Sequence, residues 1–362
     1  MKTNLIYILG MMCLSGTVSA QTTVNYTEFE QKVLDYSQTL KQSVSQRTAM
    51  QKAMKAAKTA FFPAVDATGS YQYRINKYDM DFGGMAVPME HDSYSAEVGV
   101  VQPIYAGGSI YHTYKASQIQ SQIADKSVDL TTDNLIYAAE ASYWGTAAQK
   151  EMYKTMCQYV EIISQLTKVL QDKYDDGYIS KTDLIQMQTR LKEAELQRSS
   201  SYQSYQIALQ NMNVLMGLEP DKEVGLVDSI FVELPLPAYV GADAALNVRP
   251  DYAISQLDVD YQKRQVKLAA AKYNPSLSIG FKETWGTQML NISGETMFNS
   301  NVYASVKLPL FHWGARFKST AAQKAILLGK QYALQDKQDQ ITKEVAKAWT
   351  SLTENTRQID IA

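Results

Sequence analysis

Cysteine is almost absent from this 362-residue chain, which contains only Cys13 and Cys157. Cys13 falls in a segment that we expect to be removed. Lys2 is followed there by an apolar stretch and by the small-residue sequence Val18-Ser-Ala20, which is the pattern of a secretory signal peptide over 1–20. One remaining cysteine cannot form an intrachain disulfide, so we expect packing alone to stabilise the fold.

Long hydrophobic runs are missing as well. No later stretch has eighteen consecutive apolar residues, which excludes a membrane-spanning helix. Neither sign of charge dominates, since 35 Lys and Arg stand against 37 Asp and Glu, and this balance gives no electrostatic argument for nucleic acid as a partner. An exported chain of this kind is soluble, attached to a surface or a β-barrel, and the periodicity of its hydrophobic residues decides among these.

Features of an enzyme or of a metal site are also lacking. The three histidines, His91, His112 and His312, are scattered along the chain, which argues against a metal site built from them. The carboxylates form no pair suited to acid–base chemistry, and no phosphate-binding Gly-Lys-Ser/Thr loop is present. We expect no catalysis and no cofactor, and a secreted hydrolase is the least favoured class.

An internal repeat is the main feature that the sequence does contain. Residues 55–65 align with 267–277, and residues 100–108 align with 306–314. Each copy reads as a helix that ends at a proline, two alternating strands, a second proline and a long helix, so the repeat describes the fold of both halves. The predicted organisation is a first repeat over 21–218, an equatorial linker over 219–245 and a second repeat over 246–362.

Four segments alternate between apolar and polar residues with the period of β-strands. They form two predicted hairpins, 64–104 and 276–310, and the alternation is clearest from Val65 to Asn76. About ten residues is the length of a tilted membrane-spanning strand, although one such segment alone would be typical of a soluble sandwich. Because open edges are not tolerated in hydrocarbon, four strands require further chains to close a barrel.

The polar positions of these strands are candidates for the lining of a pore. They are Asp66, Thr68, Ser70, Gln72, Arg74, Glu97 and Lys282. Loops over 78–92 and 287–299 would join the strands on the outer side, and Pro63, Pro103, Pro275 and Pro309 would lie at the opposite strand ends. Selectivity would then come from the diameter of the pore and the polarity of its lining.

Very long helices separate the strands. Between Gly108 and about Asp172 there is one glycine and no proline, and such a helix would be on the order of 100 Å long. Hydrophobic residues recur in steps of seven at Ile123, Leu130, Tyr137 and Trp144, as in a coiled coil. A turn at 175–183 and a second helix from about 181 to 216 complete a predicted helical hairpin over 108–218.

With strands, long helices and repeat in this order, the chain resembles the TolC family of outer-membrane efflux proteins. The residues that carry the resemblance are the junctions at 60–63 and 272–275, the exits at 102–108 and 308–314, the turn at 177–186 and the re-entry at 247–251. The resemblance implies a mainly α fold with membrane β-strands. It would combine TolC-like long α-helical hairpins with four strands that each chain contributes to a trimeric 12-stranded β-barrel.

The resemblance also implies a function and partners. The chain would form a homotrimer in the outer membrane lipid of a Gram-negative bacterium, with a periplasmic extension. This channel would be a passive exit duct for small molecules or proteins from a periplasmic adaptor (a membrane fusion protein) and an inner-membrane pump of the RND, ABC or MFS type. The turn that would contact the adaptor contains Asp176, Gly177, Ser180 and Asp183.

The alternative class is a periplasmic coiled-coil adaptor or scaffold protein. It would also contain a helical hairpin, but it would lack alternating strands between its helices and would normally have one hairpin instead of a repeated pair.

The second repeat is shorter than the first. Gly177 lies 74 residues beyond Pro103, and the same distance from Pro309 would place a second turn near position 383, beyond Ala362. We therefore expect the sequence to be a fragment without the second turn and its return helix, on the order of sixty residues. Gate residues of the family would lie in that part, so none is named.

Overall fold

The computed structural model describes residues 22–76, 79–88, 90–232, 235–287 and 295–361. The predicted signal peptide and parts of both predicted loops lie outside these residues. No described helix is both long and apolar enough to cross a membrane. The elements are β1 (Thr22–Val24), α1 (Tyr26–Tyr36), α2 (Gln38–Thr59), β2 (Ala64–Tyr73), β3 (Asp79–Phe82), β4 (Met85–Pro88), β5 (Asp92–Ala106), α3 (Ser109–Asp175), α4 (Lys181–Leu215), β6 (Val224–Leu226), α5 (Ala242–Val248), α6 (Pro250–Ala271), β7 (Ser276–Thr287), β8 (Thr296–Lys307) and α7 (Ala315–Ile361).

The chain divides into two compact units. The first consists of Met1–Gln38 and Asp133–Leu234, and the second of Thr39–Thr132 and Pro235–Ala362. Helix α3 contributes residues to both. The repeat in the sequence therefore describes the order of the elements, whereas the compact units combine segments that are distant along the chain.

A small parallel ladder and three helices form the core of the first unit. Strand β1 pairs with β6, which lies inside the segment predicted as a linker. Tyr143 of α3 is fully buried, and its hydroxyl donates to the Val24 carbonyl at 3.0 Å and to the Asp228 carboxylate at 2.8 Å. Burial, followed by the hydrogen bond to Asp228, raises the pKa of Tyr143 to about 12. Because a buried polar group must be paired, this hydroxyl ties α3 to the carboxyl-terminal end of the ladder, where both strands finish.

The predicted helical hairpin is confirmed by α3, with 67 residues, and α4, with 35. The predicted seam is partly wrong. Tyr137 is 74% exposed, whereas Ala139, Tyr143 and Ala147 are buried. A pattern search that weights large hydrophobic residues passes over the two buried alanines.

One antiparallel sheet in the second unit joins both predicted hairpins, in the order β2–β5–β7–β8. Its register runs from Ala64 opposite Val101 in the first hairpin to Ser276 opposite Lys307 in the second. The central pairing of β5 with β7 unites the two repeats. Strands β3 and β4 form a separate small hairpin inside the region predicted as the loop 78–92, and β8 begins inside the predicted loop 287–299.

The junction between strands and helices requires glycine. Gly107 has a positive φ of 64°, and a Cβ there would lie 2.6 Å from the Ala271 carbonyl oxygen. The Asn274 side chain donates to the Gly107 carbonyl at 2.9 Å, so the end of α6 fits closely against the exit of β5. Pro103 was expected at a strand end, but it lies within β5 at a register shift between Pro103 and Tyr105. A bulge is a position where a strand tolerates a missing N–H.

An ion-pair cluster fixes the start of α6 against α7. The Arg249 guanidinium donates to both oxygens of Asp251, at 3.0 and 2.8 Å, and to Glu344 at 2.6 Å. The Lys337 ammonium lies 3.7 Å from Asp251. Pro250 occupies the first turn of α6 and separates it from α5, whereas the sequence pattern predicts one helix from Ala244 to Tyr273.

Candidate functional site

One face of the four-stranded sheet carries most of its polar side chains, and we call it the polar face. The register pairs Thr68 with Glu97 and places Gly99 between Asp66 and Lys282. Six of the seven predicted lining residues lie on this face: Asp66, Thr68, Ser70, Gln72, Glu97 and Lys282. The register adds residues that the sequence reasoning missed, namely Ser93, Ser95, Thr284, Asn299 and Asn301. Strand pairing is the signal that would have found them, because it assigns every alternate residue to one face.

Side chains on the polar face interact across strands. The Lys282 ammonium forms an ion pair with the Glu97 carboxylate, and both side chains remain partly exposed. The hydroxyls of Ser70 and Ser95 lie 2.8 Å apart, within hydrogen-bonding distance. Part of this face is concave, and its lining includes Ser70, Lys282 and Asn301. The polar face can therefore hold water and ions along a curved wall.

Arg74 is the predicted lining residue that lies outside the ladder. It follows the last residue of β2, and its backbone N–H donates to the His91 carbonyl at 2.6 Å. The His91 ring lies 5.5 Å from the Tyr73 ring in a stacked arrangement. Arg74 thus belongs to the turn region at the end of the hairpin that is distant from the helices.

The opposite face of the sheet is apolar and exposed. Large hydrophobic side chains occupy it on all four strands, among them Val65, Tyr71, Val98, Phe281, Trp285, Phe298 and Val302. Glu283 is an exception, and its carboxylate accepts a hydrogen bond from Ser300 on β8. Exposed apolar patches of this extent mark a surface that contacts a membrane or another protein.

Both outer strands of the sheet have open edges. Within the described residues, β2 pairs only with β5 and β8 pairs only with β7. Every residue of β2 and of β8 is exposed. Unpaired N–H and C=O groups along such an edge are a template for another strand.

The predicted adaptor-contacting residues lie at the turn between α3 and α4, in the first unit. Gly177 has a positive φ of 79°, and the Tyr178 N–H donates to the Lys173 carbonyl at 2.8 Å, which closes α3. Ser180 and Asp183 form a capping box for α4, so their side chains are engaged with each other. Asp176 is exposed beside them, and the neighbouring Tyr178 is 80% exposed.

The three histidines lie in different elements. His91 precedes β5, His112 is in α3 and His312 precedes α7. Among the described residues, no group of three or more His, Cys, Asp or Glu side chains is arranged to hold a metal ion.

Comparison with known proteins gives one family. The family model described as "Outer membrane efflux protein" matches residues 30–218 and 241–362. The alkaline protease secretion protein AprF of Pseudomonas aeruginosa is 21% identical over 278 residues, which cover 75% of this chain and 57% of AprF. The chain therefore spans little more than half the length of that relative.

Solved structures share the fold. CusC matches with a TM-score of 0.79 and 14% identity, over 94% of this chain and 79% of CusC. The outer membrane protein VceC of Vibrio cholerae matches with a TM-score of 0.77 and 15% identity, over 92% of this chain and 80% of VceC. The arrangement of long helices and a four-stranded sheet is common to these proteins.

Proposed function

The chain belongs to the outer membrane efflux protein family, and we propose that it is a subunit of an outer-membrane channel. The channel would be a passive exit duct for small molecules or proteins in a tripartite efflux or type I secretion system. The observation that carries this proposal is the sheet, which has an exposed apolar face, a concave polar face and two open edges. A strand with one face toward lipid and the other toward water has this alternation.

Several copies of the sheet would close into one barrel. The four strands alternate in direction, so β8 of one copy would run antiparallel to β2 of the next, as β-barrels require. Head-to-tail contacts of this kind generate a closed ring, and closure removes the open edges that hydrocarbon does not tolerate. Three copies would give the 12-stranded barrel of a homotrimer, in which the polar face lines the pore.

We propose the remaining partners from membership of the family. The sheet would lie in the outer membrane of a Gram-negative bacterium, and the helices would extend into the periplasm. There the α3–α4 turn would meet a periplasmic adaptor, and an inner-membrane pump of the RND, ABC or MFS type would supply the energy. AprF is named as a secretion protein, which supports proteins as one class of cargo.

A periplasmic adaptor or scaffold was the alternative reading of the sequence. Such a protein has no need for an apolar sheet face that remains exposed across four strands. A membrane channel therefore explains the exposed apolar face of the sheet, and a scaffold does not.

Disulfide crosslinking of edge strands tests the proposal. Thr68→Cys on β2 is combined in turn with Asn299→Cys, Asn301→Cys or Tyr303→Cys on β8, with Cys157→Ser in every variant. Within one chain β2 and β8 are three strand spacings apart, about 14 Å, which is too far for an intrachain disulfide. We expect at least one pair to give crosslinked dimers and trimers in outer-membrane fractions.

The matched control carries Ser95→Cys on the inner strand β5 in place of Thr68→Cys. Combined with the same positions on β8, it should give no crosslinked dimers or trimers. A protein that stays monomeric with every edge pair, or that never fractionates with the membrane, would contradict the channel and favour the scaffold.

A further inference from the structure

The helix ends next to the sheet carry positive charge without any negative charge. We call these four segments the basic collar: 52–63 in and after α2, 109–120 in α3, 261–275 in and after α6, and 315–326 in α7. Together they contain eleven Lys and Arg and no Asp or Glu. The chain as a whole is nearly neutral, so the collar is a local concentration of one sign.

Most of these cations have no acidic partner. Among the described residues the collar forms one ion pair, between Lys263 and Asp260 at 2.8 Å. Nine of the eleven side chains are exposed, and Lys115 and Arg264 are partly buried. A like-charged cluster without counter-charges is costly unless an anion completes it, and this arrangement therefore points to an anionic partner.

A groove between α3 and α6 concentrates this charge. Lys115, Arg264 and Lys267 line it together with Gln118 and Gln122. Its lining also includes Asp260 and Lys263, which pair with each other, so three cations remain without an acidic partner in the described part of the chain. Burial, followed by the positive charges of Lys267 and Arg264, lowers the pKa of the adjacent His112. Cations on both walls and amide donors on the α3 wall are suited to the oxygens of a phosphate group.

Exposed aromatic residues lie within the collar and directly beside it, near the strand ends. Phe61, Phe62, Tyr111, Trp313 and Phe317 are all exposed. Rings of aromatic residues mark the boundary of the apolar band in membrane barrels. Lys115 lies six residues into α3, about 9 Å along the helix, and each headgroup layer is about 5–8 Å deep. Arg316, the second residue of α7, would fall within this layer, whereas Lys115 would lie just beyond it and reach back with its long side chain.

We propose that the basic collar binds the phosphate groups of phospholipids in the periplasmic leaflet of the outer membrane. This proposal rests on the channel function, because it requires the sheet to lie in that membrane. Juxtamembrane Lys and Arg attract anionic lipids, and their long side chains reach headgroups while their methylene stems cover apolar surface. The collar would fix the depth of the barrel in the bilayer.

Lipid preference in vesicles tests the collar. The full-length protein is reconstituted, and quenching of its tryptophan fluorescence by brominated phosphatidylglycerol is compared with quenching by brominated phosphatidylcholine. The collar variant is Lys55→Gln/Lys58→Gln/Lys267→Gln/Lys318→Gln. The control variant, Lys168→Gln/Lys173→Gln/Lys343→Gln/Lys347→Gln, removes four exposed lysines outside the collar.

We expect the preference of the unmodified protein for phosphatidylglycerol to fall by roughly fivefold or more in the collar variant and to be unchanged in the control. High salt should abolish the preference of the unmodified protein. Equal preference in both variants would overturn the collar.

The collar variant could instead lose binding of inorganic phosphate or change its ion selectivity while its lipid preference is unaltered. That result would assign the cations to the lumen and would also overturn the collar proposal. Ion conductance of the same vesicles separates the two proposals. Vesicles that conduct without any lipid preference refute the collar alone, whereas the absence of insertion and conductance refutes the channel.

Discussion

At the scale of single residues, charge on the polar face is nearly balanced. The ion pair of Glu97 with Lys282 neutralises two of the four charges that the strands place there, and Asp66 and Lys307 carry the others. A pore lined in this way would discriminate weakly between cations and anions, because the field of each group is partly cancelled by its neighbour.

Lys282→Gln tests this balance. The substitution leaves the two carboxylates of Glu97 and Asp66 against Lys307 alone, so the ratio of potassium to chloride permeability should rise roughly threefold. The ratio is obtained from the reversal potential of channels under a potassium chloride gradient.

Glu97→Gln should shift the reversal potential in the opposite direction. Asn301→Gln, a neutral change in the same row of the polar face, should leave it unchanged. A Lys282→Gln channel with unaltered selectivity would place this ion pair outside the conducting path.

The Arg249–Asp251 contact gives a residue-scale prediction for stability. Burial raises the pKa of Asp251, but the hydrogen bonds and charge of Arg249, aided by Lys337, outweigh it and hold the pKa below its usual value. A carboxyl group whose pKa is lowered by folding stabilises the protein at pH values above its unfolded-state pKa of about 3.9. This contribution is lost as the pH falls through the folded-state pKa.

Asp251→Asn should therefore lower the free energy of unfolding at neutral pH by about 1–2 kcal/mol, and the difference should vanish in acid. Thermal unfolding followed by circular dichroism at several pH values measures it. Asp339→Asn, an exposed carboxylate on α7, is the control and should have little effect. A difference that persists at low pH would mean that the contact is not governed by the charge of Asp251.

At the scale of elements, the turn between α3 and α4 contains two kinds of residue. Some cap the helix, and others present their side chains outward. Ser180 and Asp183 satisfy the first backbone N–H groups of α4, so their role in binding an adaptor would be indirect. Tyr178 and Asp176 are the side chains that the turn presents outward.

Ser180→Ala removes the cap and should destabilise the first turn of α4 by about 1 kcal/mol. Hydrogen exchange of the amides near Asp183 should then be roughly fivefold faster. Ser199→Ala, in the exposed middle of α4, should not change exchange at the turn. Unchanged protection in Ser180→Ala would show that tertiary contacts, and not the capping box, hold this helix start.

The elements also show how far the sequence predicts this fold. Period-two alternation and long proline-free segments predicted the strands and the long helices, because these are local patterns. Register is not local, so Ser95 and Asn301 were missed on the polar face although the pairing of strands places them there. The buried small residues Ala139 and Ala147 were missed because a pattern search that weights large hydrophobic residues passes over alanine.

At the scale of the whole molecule, the predicted TolC-like fold is confirmed by the family match and by the similarity to CusC and VceC. The division of the chain into repeats and the roles of the lining and turn residues stay predictions, since they depend on partners and copies of the chain. In the proposed assembly the open sheet would join one subunit to the next, because its outer strands β2 and β8 each have an open edge in the single chain.

The most direct test of the channel is single-channel recording with cysteines on opposite faces of β2, in a Cys157→Ser background. Ser70→Cys lies on the polar face and Ala67→Cys on the apolar face. A bulky charged thiol reagent added to the aqueous phase should reduce the conductance of the Ser70→Cys channel in three equal steps, one per copy, and leave the Ala67→Cys channel unchanged. Blockade through Ala67→Cys but not Ser70→Cys, or the absence of discrete channels, would contradict the account.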